Sequence, residues 1–157
     1  MLASRIARGF LLLAIVLTTG CAPSIAPLYK DFATPDSVVA DAATLARIGT
    51  TLEADGWTLR ASDIAGVVAT EEKVLSSWGI YDVKISLEVI TFGDDYVRVL
   101  FHPYREFFTG NRSKIPYLDG RLRRSVVASV EETLEASGLD VIPWPVQRDR
   151  RNVTRGR

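Results

Sequence analysis

His102 is the only histidine in the chain. It is the first residue to weigh for acid–base work, because an unperturbed imidazole titrates near neutral pH. Glu106 follows four positions later and would orient the ring if the two side chains met. A small hydrolase built on this pair also needs an activated nucleophile, and none stands at a recognisable spacing. Gly93-Asp94-Asp95 offers paired carboxylates, the start of a metal or glycosidase site. Tight loops select the same residues, and a hard cation asks for six or more oxygens, a density no nearby stretch supplies. Cys21 is the only cysteine, so no disulfide closes within the chain. One cysteine and one histidine are too few soft ligands for structural zinc. Asn111-Arg112-Ser113 and Asn152-Val153-Thr154 match the glycosylation triplet, a pattern frequent by chance. The residues therefore point to no metal, no cofactor and no enzyme.

Charge layout carries more information than any single reactive group. The 157 residues hold 19 Lys+Arg against 19 Asp+Glu. Arg148, Arg150, Arg151, Arg155 and Arg157 against Asp149 alone make the last ten residues +4, which leaves residues 21–147 at −6. Within the chain, Arg121, Arg123 and Arg124 open a helical pattern that Glu131, Glu132 and Glu135 close. That order opposes the helix dipole, and a broken local rule marks a place to look for function. With Arg105, Arg112 and Lys114 just upstream, these arginines are expected to form one positive surface for anionic lipid, an acidic polymer or an acidic partner. Pairing with the domain's own surplus carboxylates is the plainer account of the same charges. Phe107-Phe108 and Trp78-Gly79-Ile80-Tyr81 are apolar groups in expected loops; exposed side by side, they would mark a protein–protein contact.

The elements that must position these groups read as one α+β domain. Thr34-Pro35-Asp36 gives a cap, a first-turn proline and an acid, and Val38, Ala42, Leu45, Ile48 and Leu52 form one helical stripe. The spacing predicts a helix over about 36–54, stopped by Asp55-Gly56. Strands are expected at 57–61 and 67–70 around a turn at 63–66, with 71–80 a connection. Val83, Ile85, Leu87 and Val89 alternate with polar residues, as do Val97, Val99 and Phe101. A three-residue loop, pairing Phe92 with Tyr96 and Leu87 with Phe101, keeps all seven on one face. It also sets His102 opposite Ser86 on the solvent face, with Glu88 and Arg98 as diagonal neighbours. Pro103 is expected to end that strand and 103–117 to be a loop. A second helix follows over about 119–137, stopped by Gly138, and 139–142 adds a short edge strand. The expected fold is two-layered: a four-stranded antiparallel sheet with two helices on one face, in the order helix, four strands, helix.

The first 21 residues are of another kind. Arg5 and Arg8 precede the apolar run Phe10–Leu17, followed by Thr18, Thr19, Gly20 and Cys21. Basic, apolar, then small is the order of a signal peptide, and eight apolar residues are too few to span a bilayer. Leu17-Thr18-Thr19-Gly20-Cys21 resembles the lipobox of bacterial lipoproteins, with Leu17 one place further out than the usual pattern. The resemblance implies cleavage before Cys21 and acylation there, and Ala22 after the cysteine implies the outer membrane. The layout of the domain also loosely resembles the helix-grip domains of outer-membrane assembly lipoproteins. The expected organisation is a signal peptide at 1–20, a lipidated tether at 21–33, one domain at 34–145 and a disordered Arg-rich tail at 146–157. The expected function is that of a lipid-anchored, non-enzymatic accessory or scaffold on the periplasmic face of the outer membrane. Its partners would be the membrane, through the lipid on Cys21, and an envelope protein; nucleic acid is not expected. The alternatives are a binding module for anionic envelope material through the Arg clusters, and a small hydrolase using His102.

Overall fold

The computed structural model of the chain describes residues 28–35, 41–92, 95–118 and 120–143. The signal peptide, Cys21, Asp94 and the Arg-rich tail lie outside them. In chain order the elements are β1 (Tyr29–Ala33), α1 (Ala42–Ala54), β2 (Leu59–Arg60), β3 (Val67–Thr70), β4 (Lys73–Ser77), β5 (Tyr81–Phe92), β6 (Tyr96–Phe107) and β7 (Arg112–Lys114), then α2 (residues 120–136) and β8 (Asp140–Val141). Within α2, Gly120–Leu122 and Ala128–Ala136 are α-helical and flank a π-helical segment, Arg123–Val127.

The hairpin of β5 and β6 is the spine. Its register pairs Phe92 with Tyr96, Val89 with Val99, Leu87 with Phe101 and Ser86 with His102, as the alternation requires. Val83, Ile85, Leu87 and Val89, with Val97, Val99 and Phe101, are all buried on one face. Leu45, Ile48 and Leu52 of α1 and Val126, Val127, Val130 and Leu134 of α2 close that face into a single core.

The four-stranded sheet is corrected to an eight-stranded antiparallel one, ordered β2-β3-β5-β6-β1-β8, with β4 also on β5 and β7 also on β6. Both edges of the hairpin are paired in two pieces. Along β5, β3 meets Glu88–Ile90 and β4 meets Asp82–Ile85. Between the two pieces the Leu87 amide finds no carbonyl and instead donates to the Thr70 hydroxyl at 2.9 Å. Along β6, β1 meets Tyr96–Leu100 and β7 meets Tyr104–Glu106. Pro103 sits in the gap. The amide of Phe101 points outward to the Leu28 carbonyl, so two residues on, the proline's missing N–H also faces outward, where neither strand needs it. The Pro103 carbonyl accepts from the Ile115 amide at 3.0 Å. The strand therefore runs on to Phe107 instead of ending at the proline.

Other boundaries move for similar reasons. Residues 29–33, expected in the tether, are a strand between β6 and β8. Thr34 donates through both its amide and its hydroxyl to the Asp95 carbonyl, continuing β1 instead of capping a helix. The cap of α1 is Asp41, whose side chain accepts from the Thr44 amide at 2.9 Å. Val38, counted in the expected stripe, lies outside the described residues. Gly56 and Gly138, at φ of 78° and 86°, stop the two helices.

Candidate functional site

A 12-residue strand runs about 40 Å at ~3.3 Å per residue, whereas a 13-residue helix covers only about 20 Å. The hairpin therefore outruns its helices, and the inner face beyond Ile85 and Pro103 lacks a full cover. Ile115–Leu118 bring the chain from the β7 edge around to that face, and the first turns of α2 close one side. The result is an open cleft of about 560 Å³. Trp78, Tyr81 and Tyr117 supply its aromatic walls, and Leu75, Val83 and Leu122 its apolar floor. Arg105 and Arg121 are its only charged residues among the described lining. The Arg121 guanidinium lies 5.6 Å from the Trp78 ring centroid, and that of Arg105 lies 5.7 Å from Tyr81. Both distances suit a cation over a π face. Ser125, in the π segment of α2, completes the wall, and π-bulges often accompany functional sites.

Beside the cleft the sheet ends in two loops. The Phe108 amide donates to the Ile80 carbonyl at 3.2 Å, so the loops stand together. Tyr81 and Phe107 pack ring to ring at 5.6 Å. Trp78, Ile80 and Phe108 stay open to solvent, at 55, 61 and 82 % of their full exposure.

The expected single positive surface is not formed. Alternate residues of β7 share a sheet face, so Arg112 and Lys114 lie with their register partners Glu106 and Tyr104 on the outer face. Arg105 and Arg121 lie in the cleft on the opposite face. Arg123 and Arg124 border a shallow groove with Val127 and Glu131 along α2. The crossing at Ile115–Leu118 is what separates the three groups.

The outer face carries a charged ladder. Arg112 binds Glu72 at 2.8 Å and Glu106 at 2.7 Å, and Lys84 reaches Glu106 at 2.8 Å. The Lys84 ammonium, then Arg112, holds the Glu106 carboxyl below its usual range. Tyr104, then Arg112, does the same for Glu72. Burial first, and then Glu72, pushes the Tyr104 hydroxyl well above the ordinary phenol range; that hydroxyl is buried without completing a well-formed hydrogen bond. Glu106 is thus committed to Lys84 and Arg112 and does not orient His102. The His102 partner is Glu88, at 3.1 Å, which also meets Arg60 at 3.4 Å. His102 is not among the residues lining the cleft. Among the described residues no three His, Cys, Asp or Glu side chains gather as a metal site, and no helix is long and apolar enough to cross a membrane.

Sequence reasoning singled out Trp78, Tyr81, Arg105 and Arg121 but missed Tyr117, Leu75 and Ser125. Of these, Tyr117 left a trace, an aromatic next to Pro116 directly before a helix. No protein family's sequence profile matches the chain, and no curated protein matches it in sequence.

Proposed function

We propose that this protein is a lipid-anchored, non-enzymatic accessory or scaffold of the cell envelope, held through Cys21 on the periplasmic face of the outer membrane. On this reading it acts by docking an envelope protein against the apolar end of its sheet. The carrying observation is the joined pair of loops, with Ile80 and Phe108 exposed beside each other. Large apolar groups gathered at one tip typically mark a contact surface, and aromatics are the usual anchors of such surfaces. The Leu17–Cys21 resemblance to a lipobox supports the anchor, since acyl chains supply durable attachment without a membrane-spanning helix.

The test is site-specific photo-crosslinking in intact cells from positions 80 and 108, with position 46 on the exposed side of α1 as control. One and the same partner captured from both tip positions, and not from 46, is the expected outcome. Capture of nothing, or equally from all three positions, rejects the docking end. The mass of the mature N-terminus decides the anchor separately: an acylated Cys21 is expected, and an unmodified thiol or another start rejects it.

A further inference from the structure

We infer that the cleft between the far end of the sheet and α2 is a binding site for a single-chain anionic amphiphile, an acyl or alkyl tail bearing a carboxylate, phosphate or sulfate head. The inference stands apart from the anchor and from the docking end. Three observations carry it, and they concern different properties of the same space.

The first is size and shape. A volume of about 560 Å³ lies within the roughly 300–1,000 Å³ of sites that bury most of a small ligand. The cleft also has a structural cause, the hairpin's excess length over its helices, so it is not a packing defect in the core. The second is polarity. Leu75, Val83, Leu122 and the rings of Trp78 and Tyr117 give the lining an apolar share that an alkyl chain would cover, beside polar groups from Ser76, Ser125 and the two arginines that a charged head would meet. Covering that share is favourable in proportion to the apolar area removed from water. The third is charge. The described lining holds two guanidiniums and no carboxylate, in a chain whose residues 21–147 sum to −6. Each guanidinium rests on an aromatic face, which orders a long side chain before any ligand arrives. Arginine's planar fork matches carboxylate and phosphate oxygens two at a time. A tail under Trp78 and Tyr117 with its head between Arg105 and Arg121 uses all of these features. A cation or a neutral sugar uses only some of them.

The experiment uses the chain from residue 21 onward with Cys21→Ser, because every contact described above lies within residues 28–143. Dodecyl phosphate below its micelle concentration is the soluble probe, and dodecyltrimethylammonium is the same tail with a cationic head. Binding is read by calorimetry and by Trp78 fluorescence, with Trp78→Phe as the optical blank. One-to-one saturable binding of dodecyl phosphate is expected, at least tenfold tighter than that of the cation. Arg105→Gln with Arg121→Gln should weaken it at least tenfold, and Tyr117→Ala severalfold, while Arg47→Gln on α1 leaves it unchanged. A second arm offers phosphatidylglycerol and phosphatidylcholine vesicles. Binding confined to phosphatidylglycerol, with the same arginine dependence, overturns the single-chain ligand in favour of a bilayer lipid. Equal binding of the cationic tail, indifference to the paired arginine change in a variant of unaltered melting temperature, or no binding in either arm overturns the inference.

Discussion

Thr70 and Lys30 show how single buried polar side chains hold this fold together, one at a gap between strands and the other between the sheet and a helix. Both are almost wholly buried, which a polar group tolerates only with a partner. The Thr70 hydroxyl oxygen accepts from the Leu87 amide in the gap between β3 and β4. Thr70→Val keeps the shape but leaves that buried amide unsatisfied, at a cost of about 1–3 kcal/mol. Thr70→Ser should recover most of the loss, and urea denaturation of the two variants measures both. Lys30 lies on the core side of β1, 3 % exposed, and reaches Glu131 of α2 at 2.6 Å. Glu131→Gln removes the carboxylate charge facing the buried ammonium and should cost about 3 kcal/mol, whereas Lys30→Met removes the buried charge itself and should cost less. A larger loss for Lys30→Met than for Glu131→Gln, in the same urea experiment, contradicts that account. His102 is different, since its contact with Glu88 is half-exposed. His102→Gln should shift stability by no more than about 0.5 kcal/mol.

The β5–β6 hairpin was readable in the sequence down to its register, because one alternating face admits only odd loop lengths and the Gly-Asp-Asp turn offers three residues. What escaped reading were the strands whose partners are distant. Lys30-Asp31 in the middle of β1 looks like a solvated tether until Glu131, 101 positions away, and Arg98, 67 positions away, are seen to hold the two charges. Asp31 is only 2 % exposed, beneath an arginine that binds both its oxygens at 2.7 and 2.9 Å. No periodicity reveals such pairs. β7 is three exposed polar residues, and β4 has little buried surface, so neither carries a hydrophobic signature. Pro103 misled because its rule concerns hydrogen-bonded positions, and the sequence does not say which side its nitrogen faces. The cleft depends on a length mismatch between elements, which no local pattern encodes. The outer-face ladder has a consequence in acid. Glu72 and Glu106 titrate below their ordinary value of 4.5 in the folded chain. Their contribution to stability is therefore complete above that value and disappears as the pH falls through their lowered folded values. The urea midpoint should drop below pH 4.5, and Glu72→Gln with Glu106→Gln should lower the neutral plateau and flatten that acid limb. An acid limb as steep in the double variant as in the parent would refute the assignment.

The two ends of the molecule differ: Phe92 and Tyr96 pair at one end of the hairpin, and the apolar loops and the cleft lie at the other. Because β1 begins at Tyr29, only six residues lie between Cys21 and Leu28, seven steps with a reach of at most about 25 Å. With Cys21 anchored as proposed, the domain would work close to that surface, nearer than a tether running to residue 33 would allow. Cys21→Ser should move the protein from the membrane pellet to the soluble fraction or leave it as an uncleaved precursor, and fractionation with mass spectrometry distinguishes the two. Unchanged pelleting of a fully processed variant would count against the lipid. The placement of β1 also has a mechanical meaning. Any tug on the N-terminal side enters the fold along a strand clasped by β6 and β8 and riveted on both faces, by Lys30 to Glu131 and by Asp31 to Arg98. A force along that axis loads the ladder in shear, so its bonds must fail together and not one at a time. Pulled from its N-terminal side, the chain is thus gripped at one of the places slowest to unravel under tension.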